Sequence, residues 1–244
     1  MSPLVVLPTY QEAENVQDVL GRIRASVPEA HVLVVDDGSP DGTADLAAEA
    51  GATLGQVDVL RRTEKSGLGP AYRAGFAWGL ERGHDVLIEM DADLSHDPEV
   101  LPQLIAAVTD GGADLAIGSR YVPGGSVPGW PRNRRLLSKW GNRYMGVMLR
   151  IPVRDATAGF RAYRRSIIER VGLERVRADG YGFQIEMAYE VHKAGGRIVE
   201  IPITFRDRER GVSKMSPNIV VEALVLVTRW GIRDRVDRVR RRRR

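Results

Sequence analysis

The amino-acid sequence predicts an α/β protein with a Rossmann-like, mostly parallel sheet flanked by helices. Two features predict it: short apolar runs of the kind that form buried strands, and segments of helical periodicity between them. The runs cover residues 4–7, 32–35, 57–60, 86–88 and 115–117. Strands that alternate with helices form parallel, doubly wound sheets, which bind ligands at the carboxyl ends of their strands. The polar residues that follow each run are therefore candidate site residues.

The helical segments follow the strands in order. The first, over residues 12–24, places Val16, Val19, Leu20 and Ile23 on one stripe. Further helices are expected over residues 41–50, 68–82, 136–149 and 182–194. Another is expected to begin at Asp97-Pro98, because Asp can cap the amino end of a helix and Pro can occupy its first position. The less regular second half also predicts a long functional loop over residues 122–135, a strand over 198–205 and an apolar helix over 216–230.

Composition narrows the class of protein. The 244 residues suffice for one large α/β domain or a domain with an appendage, and the absence of cysteine excludes disulfides and thiolate metal sites. It also fits a reducing compartment. The amino terminus shows neither a basic segment nor a long apolar one before the first strand, so we expect no signal peptide and a cytoplasmic location.

The sharpest chemical signal is the pair of carboxylates Asp91 and Asp93, which follows the fourth apolar run and precedes Ser95. Like charges this close raise each other's pKa, and a divalent cation would give them a reason to cluster. Mg²⁺ and Mn²⁺ take oxygen ligands, and such ions bridge carboxylates to substrate phosphates. The alternative is a solvated turn whose acids cap a helix.

Two other strand ends carry nucleotide-binding candidates. Asp37, in the sequence Asp-Asp-Gly-Ser after the second run, could hold a ribose, while Tyr10 could stack on a base that Glu12 contacts. Each is also compatible with an ordinary turn. Two rival motifs fail: Gly67-Leu68-Gly69 lacks the third glycine of the dinucleotide fingerprint, and no stretch has the P-loop spacing.

A basic segment over residues 130–143 predicts a phosphate site. It contains Arg132, Arg134, Arg135, Lys139 and Arg143. The planar guanidinium suits phosphate because it donates two hydrogen bonds at once. The neighbouring tryptophan and prolines suit a loop at a lipid headgroup, and a solvated basic loop is the alternative.

Four motifs together resemble the inverting, GT-A-type glycosyltransferases of family 2, and most closely the polyprenol (dolichol) phosphate mannose synthases. They are VVLPTYQE at residues 5–12, VVDDGS at 34–39, MDADLSH at 90–96 and GSRY at 118–121. The stretches 155–161 and 205–214 are similar to the lipid-phosphate subgroup. The resemblance runs from Leu4 to about Ser216. It implies a GT-A catalytic domain over 1–216, followed by an apolar helix and basic tail over 217–244.

The resemblance also implies roles for single residues. Those matching the donor site are Pro8, Tyr10, Glu12, Val35, Asp37, Asp91, Ala92, Asp93, Arg206 and Lys214. Those matching the metal site are Asp93 as direct ligand, Asp91, and Ser95 where some relatives have Gln. Those matching the acceptor-phosphate site are Arg120, Arg134 and Ser138, so that Asp93, Arg120 and Arg134 form the catalytic set. The implied substrates are GDP-mannose and a polyprenyl monophosphate, with Mg²⁺ or Mn²⁺ as cofactor.

Such an acceptor needs no general base, because a phosphate monoester is largely ionised at neutral pH. The enzyme must instead hold two anions close together and neutralise the leaving diphosphate. We expect Asp155 to orient arginines or the sugar rather than to act as a base.

The carboxyl terminus predicts contact with an anionic membrane. Residues 233–244 carry eight Arg and two Asp, a net +6; because the whole chain is +4, the remainder is −2. This remainder argues against a nucleic-acid partner. The apolar stretch at residues 219–230 is short of the roughly 20 residues that a span requires. We therefore expect peripheral attachment to the inner face of the cell membrane, which leaves room for a separate membrane-anchoring protein.

Three alternatives stay open. The same chemistry could use UDP-glucose, because the motifs define the nucleotide-diphosphate site better than the sugar pocket. A polysaccharide-extending synthase is disfavoured, since Leu226 stands where the Gln-x-x-Arg-Trp pattern requires Gln and no spans follow. A non-catalytic nucleotide-sugar or nucleic-acid binding module is the third.

Overall fold

The computed structural model describes residues 1–207 and 217–242. In these ranges seven strands and eight α-helices follow one another along the chain. The strands are β1 (Pro3–Thr9), β2 (His31–Asp36), β3 (Val57–Arg61), β4 (Val86–Glu89), β5 (Leu115–Ser119), β6 (Arg161–Arg164) and β7 (Ile198–Pro202). The helices are α1 (Val16–Ser26), α2 (Thr43–Leu54), α3 (Leu68–Glu81), α4 (Leu101–Thr109), α5 (Arg132–Leu149), α6 (Arg165–Val171), α7 (Gly180–Lys193) and α8 (Pro217–Arg242).

The strands form one sheet in the order β3-β2-β1-β4-β6-β5-β7. Neighbouring strands are parallel except at β6, which runs antiparallel to both β4 and β5. The predicted mostly parallel sheet is therefore confirmed. The reversed β6 was not predicted, because four residues that include Arg161 and Arg164 do not form an apolar run.

Both faces of the sheet are covered, which explains the continuous apolar runs. Along β1, Leu4 and Val6 face a core built with helices α3, α5, α6, α7 and α8. Val5 and Leu7 face the opposite core, which α1, α2 and α4 complete. All four side chains are fully buried.

Several boundaries differ from the prediction in ways that bear on function. Helix α5 begins at Arg132 rather than at residue 136, so part of the predicted long loop is helical. Strand β7 ends at Pro202 rather than at residue 205. Helix α8 continues to Arg242, so much of the basic tail is helical, while Ala223 and Val227 bury its first half against the core. No helix in the described ranges combines the length and apolar character needed to cross a bilayer.

Close packing of α3 on the sheet generates a stability prediction. A Cβ added at Gly75 would lie 2.4 Å from a Val6 methyl carbon, whereas one added at Gly21 on α1 would meet nothing within 4 Å. Both substitutions improve helix propensity by up to about 1 kcal/mol. Overpacking costs about 1–3 kcal/mol, so Gly75→Ala should lower the free energy of unfolding and Gly21→Ala should raise or preserve it. Urea denaturation of the two variants measures the difference, and equal effects would contradict this packing.

Candidate active site

The carboxyl ends of β1, β2 and β4 surround a cavity of about 380 Å³. Its lining includes seven residues that the sequence assigned to the donor site: Pro8, Tyr10, Glu12, Asp37, Asp91, Ala92 and Asp93. Further lining comes from Lys65, Gly67, Leu68, Asp179, Gly180 and Tyr181. The structure thus gathers residues from five separate segments at one edge of the sheet.

Asp37 shapes this cavity by fixing the loop before α3. Its carboxylate accepts hydrogen bonds from Arg62 Nη1 at 2.7 Å and from the backbone amides of Ser66 and Gly67 at 3.1 and 3.2 Å. These contacts stabilise the charged carboxylate, which is buried. Asp37 therefore holds the loop in addition to facing the space where a nucleotide would lie.

The fixed loop places Lys65 over the ring of Tyr10, with the Lys65 Nζ atom 4.2 Å from the ring centroid. The ammonium group and the aromatic face form a cation–π contact. Glu12, on the same side of the cavity, accepts a hydrogen bond from Asn15 Nδ2 at 2.9 Å. Sequence reasoning did not single out Lys65, because a lysine in a loop carries no spacing signal.

Asp93 is held by the turn that follows β4. Its Oδ1 atom accepts from the Ser95 amide at 3.1 Å and from the Ser95 hydroxyl at 2.6 Å, and both residues are buried. The structure therefore places Ser95 as the residue that orients Asp93. Asp91 is more open, with 32% of its side chain exposed, and its Oδ1 atom lies 3.5 Å from the Tyr72 hydroxyl.

His96 packs beneath this turn as a neutral ring. Burial lowers its pKa to about 4, against the opposing effect of nearby Asp93. The Asp91 amide donates to His96 Nδ1 at 3.4 Å, so this nitrogen is the acceptor and the proton lies on Nε2. The 3.9 Å approach of Nδ1 to the Asp91 carboxylate is accordingly not an ion pair. Phe160 and Phe205 enclose the ring at centroid distances of 5.1 and 5.4 Å.

The Asp91–Asp93 pair fits a hard divalent cation. Within the described ranges, no group of three or more His, Cys, Asp or Glu side chains is arranged to hold a metal ion by itself. Two carboxylates beside an open cavity suit an ion that takes its remaining ligands from water and substrate phosphates. The two carboxylates therefore fit an open Mg²⁺ or Mn²⁺ site and do not form a site whose ligands all come from the protein.

A second cavity, of about 160 Å³, adjoins the first. The three predicted acceptor residues Arg120, Arg134 and Ser138 all line it. Most of its remaining wall is apolar and comes from α5 and α8, with Leu137, Trp140, Gly141, Met145, Ala223 and Leu224 among the lining residues. A site that joins two cations to an apolar wall suits an anionic headgroup with a hydrocarbon chain.

Arg120 is locked in a buried ion pair. The Asp155 carboxylate accepts from Arg120 Nε at 2.7 Å, from Nη2 at 2.6 Å and from the Arg120 amide at 3.0 Å. Thr157 Oγ1 accepts a further bond from Nη2 at 2.8 Å. Burial alone would lower the Arg120 pKa, but the Asp155 carboxylate outweighs it and the pKa lies above its ordinary value. Arg120 thus stays charged, and Nη1 is the guanidinium nitrogen that does not bond to Asp155.

Arg134 is held more loosely. Its Nη1 atom lies 3.1 Å from the Asp207 carboxylate, and the exposed side-chain fractions of the two residues are 38% and 51%. Its guanidinium carbon stacks 3.8 Å from the Trp130 ring centroid, while Trp130 Nε1 donates to Asp207 at 2.9 Å. Solvent screens such a pair, so the phosphate of an acceptor can compete with Asp207 for Arg134.

A buried arginine fastens the segment that carries Asp155. Arg161, fully buried on β6, donates to the backbone carbonyls of Ala156 at 2.8 Å, Ala158 at 2.7 Å and Gln184 at 2.6 Å. It thereby joins the segment after Asp155 to helix α7. Sequence analysis read Arg161 only as part of a motif, because its hydrogen-bond partners are backbone atoms.

Four predicted site residues are not among the lining of the two cavities or lie beyond the described ranges, and the first is Ser95, which is buried beside Asp93. Val35 is fully buried in the core and is not among the described residues that line either cavity. Arg206 is exposed, and its amide donates to the Ser95 carbonyl at 3.3 Å, which places the backbone beside the Asp93 turn. Lys214 lies outside the described residues.

Comparison with known proteins agrees with this arrangement. The family described as Glycosyl transferase family 2 matches residues 4–172. The chain is 54% identical to the polyprenol monophosphomannose synthase of Mycolicibacterium smegmatis over 97% of this chain and 89% of that protein. It is 53% identical to the undecaprenyl-phosphate mannosyltransferase of Micrococcus luteus over 99% of both chains.

Solved structures support the same fold. The Pyrobaculum calidifontis mannosyltransferase in complex with GDP-Man and Mn²⁺ superposes with a TM-score of 0.59 at 18% identity, covering 93% of this chain and 68% of that one. Glucosyl-3-phosphoglycerate synthase from Mycobacterium tuberculosis, with Mn²⁺ and UDP-glucose, superposes with a TM-score of 0.71 at 18% identity, covering 94% and 79%.

The fold and the family match define a glycosyltransferase of the GT-A type. The chain belongs to glycosyltransferase family 2 and, through its relatives at 53–54% identity, to the polyprenol-phosphate mannose synthases within it. The resemblance drawn from the four sequence motifs is therefore confirmed.

The two arginine–carboxylate pairs should differ sharply in their contribution to stability. Removing one partner of a buried pair costs about 3–5 kcal/mol, because the other charge stays buried, so Asp155→Ala should lower the free energy of unfolding by that amount. An exposed pair contributes about 0–1 kcal/mol, so Asp207→Ala should change it little. Chemical denaturation of these two matched variants provides the measurement. A loss at Asp207 as large as that at Asp155 would show that the pairs are wrongly described.

Proposed function

We propose that this protein transfers mannose from GDP-mannose to a polyprenyl monophosphate and inverts the anomeric carbon. The observation that carries the proposal is the junction of the two cavities: carboxylates for a metal–diphosphate complex lie in one, and two arginines beside an apolar wall lie in the other. The names of the two bacterial relatives, a polyprenol monophosphomannose synthase and an undecaprenyl-phosphate mannosyltransferase, support the same acceptor and sugar.

The reaction needs little from the protein beyond placement and charge. An oxygen of the acceptor phosphate forms a bond to C1 of the sugar, while the bond from C1 to the β-phosphate oxygen breaks and GDP leaves with the electron pair. The nucleophile arrives ionised, so no side chain has to remove a proton. Asp155 already accepts three hydrogen bonds from Arg120, which supports a positioning role rather than that of a base.

Each charged group then has a place in the transfer. Asp91 and Asp93 would hold Mg²⁺ or Mn²⁺, and such an ion, when bound, neutralises the leaving diphosphate. Arg120 Nη1 and Arg134 would hold the acceptor phosphate, with Ser138 beside them. Arg206 and Lys214 are proposed to contact the donor phosphates, and direct metal ligation by Ser95 remains part of the proposal.

Glucose transfer from UDP-glucose is the second candidate. The Mycobacterium tuberculosis neighbour was crystallised with UDP-glucose, so the same fold accepts that donor. GDP-mannose is favoured here because the relatives at 53–54% identity carry mannosyltransferase or mannose synthase names, whereas that neighbour is 18% identical.

We also propose that helices α5 and α8 rest on an anionic membrane surface. The large apolar side chains that they expose are Leu136, Leu137, Trp140 and Val147 on α5 and Val221, Val225, Ile232 and Val236 on α8. The acceptor cavity opens between the same two helices, where a prenyl chain would enter from the bilayer. Arginines at the end of α8 add attraction to anionic lipids.

A donor panel tests the reaction. The intact protein is mixed with a prenyl phosphate, Mg²⁺ or Mn²⁺, and either GDP-mannose or UDP-glucose, and the lipid product is extracted into organic solvent. We expect mannosyl lipid to dominate and excess chelator to abolish it. Asp93→Asn should lower transfer at least about 100-fold, because it removes a charged metal ligand while Ser95 can still bond the amide oxygen. Full activity of Asp93→Asn would refute the assigned role, and glucosyl lipid as the main product would favour the second candidate.

Vesicle sedimentation tests the membrane surface. Replacing Arg233, Arg235 and Arg240 by Gln should weaken binding to anionic vesicles by up to roughly 100-fold at low salt, since each charge contributes about 1 kcal/mol. A matched control replaces Arg22, Arg61 and Arg82, which lie outside the α5–α8 pair. Equal weakening in both triple variants would leave only net charge as the cause and would remove α8 from the proposed surface.

A further inference from the structure

Tyr181 occupies the border between the two cavities. Among the residues that the structure describes, it is the one that lines both the first cavity, which contains Asp91 and Asp93, and the second cavity, which contains Arg120 and Arg134. If the proposed function holds, the sugar must bridge these spaces, because its anomeric carbon lies between the leaving diphosphate and the incoming phosphate. The side chain at this border is therefore placed beside the atoms that react.

The backbone around Tyr181 is fixed from the side of α3. Asp179 accepts from the Gly180 amide at 2.7 Å and from the Gly69 amide at 2.6 Å, so one carboxylate joins the start of α7 to the start of α3. A Cβ added at Gly67 would lie 2.0 Å from Asp179, which shows how closely the two segments approach. The start of α7 therefore has little freedom to move away from the donor cavity.

The next turn of α7 anchors the same segment in the core. Phe183 is fully buried and stacks on the Tyr72 ring at a centroid distance of 5.7 Å and an interplanar angle of 10°. Gln184 accepts the bond from Arg161 that ties α7 to the segment carrying Asp155. Tyr181 itself stays partly exposed: it packs against the core cluster and also lines both cavities.

We propose that Tyr181 is a positioning residue that contacts the transferred sugar and keeps water out of the line of attack. This inference rests on the proposed function. Water could replace the acceptor as nucleophile: its oxygen would bond to C1, the bond from C1 to the β-phosphate oxygen would break, and free sugar, GDP and one proton would result. A bulky ring at the border leaves less room for this water while it holds the sugar toward the acceptor phosphate.

The experiment measures GDP release and mannosyl lipid formation in the same sample, for wild type, Tyr181→Phe and Tyr181→Ala. Tyr181→Ala should raise the ratio of hydrolysis to transfer at least about tenfold, because it opens the border to water. Tyr181→Phe keeps the ring and should stay within about threefold of the wild-type ratio. Trp78→Ala is the matched control: this aromatic residue near the end of α3 packs against His31 and His84 and is not among the described residues that line either cavity, so its loss should leave the ratio unchanged.

A second arm separates this inference from the proposed function. With no acceptor present, hydrolysis of GDP-mannose and of UDP-glucose is measured directly, and Tyr181→Ala should accelerate hydrolysis of whichever donor the wild type uses. If wild type makes no mannosyl lipid but Tyr181→Ala still accelerates hydrolysis, the proposed mannose transfer is wrong and the proposed exclusion of water by Tyr181 is supported. If wild type transfers mannose and Tyr181→Ala, with nucleotide binding intact, keeps the wild-type ratio, the inference is overturned.

Discussion

The buried ion pair between Arg120 and Asp155 constrains the rest of the site. Taking two charges out of water is unfavourable unless they satisfy each other, and here the Asp155 carboxylate accepts two guanidinium bonds and one amide bond from Arg120. The Asp155 amide in turn donates to Glu200 Oε1 on β7 at 3.0 Å. The pair therefore fixes the chain after β5 against the segment before β6 and against the edge strand.

This constraint explains why the second half of the chain departs from a simple alternation of strands and helices. The antiparallel β6 brings the Asp155 segment between β4, which ends near Asp91 and Asp93, and β5, which leads to Arg120. Arg161 then fastens that segment to α7 through three backbone carbonyls. One reversed strand thus holds the proposed donor-site and acceptor-site groups at neighbouring strand ends.

Arg120 and Arg134, the two arginines of the proposed acceptor site, differ because their surroundings differ. Arg120 is held from one side by a carboxylate that solvent cannot reach, so its remaining nitrogen has a defined direction. Arg134 lies on the surface between Trp130 and Asp207, where a phosphate can replace the carboxylate with little loss. A fixed cation and an adaptable one together suit a headgroup that arrives from a membrane and must be aligned for attack.

The sequence was enough to predict what depends on local pattern. Apolar runs predicted five parallel strands, and the residues just after them, such as Asp91 and Asp93, could be assigned to one sheet edge. Groupings that depend on distant parts of the chain were harder to predict. Asp155 was expected to orient arginines or the sugar, but no periodicity identified Arg120, 35 positions away, as its partner, and nothing predicted the pairing of Arg134 with Asp207, 73 positions away.

The same limit applies to β6 and Tyr181. Strand β6 was missed because a buried arginine, Arg161, looks like a surface residue in a sequence. Tyr181 was missed because its position between two cavities appears only in three dimensions. The available signal was the pair of glycines on either side of Tyr181. Because glycine has no side chain, the Tyr181 ring is the main side-chain group at the start of α7.

A double-mutant cycle on Arg120 and Asp155 tests most directly whether the buried pair acts as one unit in acceptor binding. The kcat/KM for prenyl phosphate is measured in wild type, Arg120→Lys, Asp155→Asn and the double variant. Each single change should lower it at least about 30-fold, because either one disrupts the fork that presents the guanidinium. If the residues act together, the double variant should fall no more than about threefold below the worse single variant. Losses that multiply, or an Asp155→Asn enzyme with wild-type kcat/KM, would contradict the account.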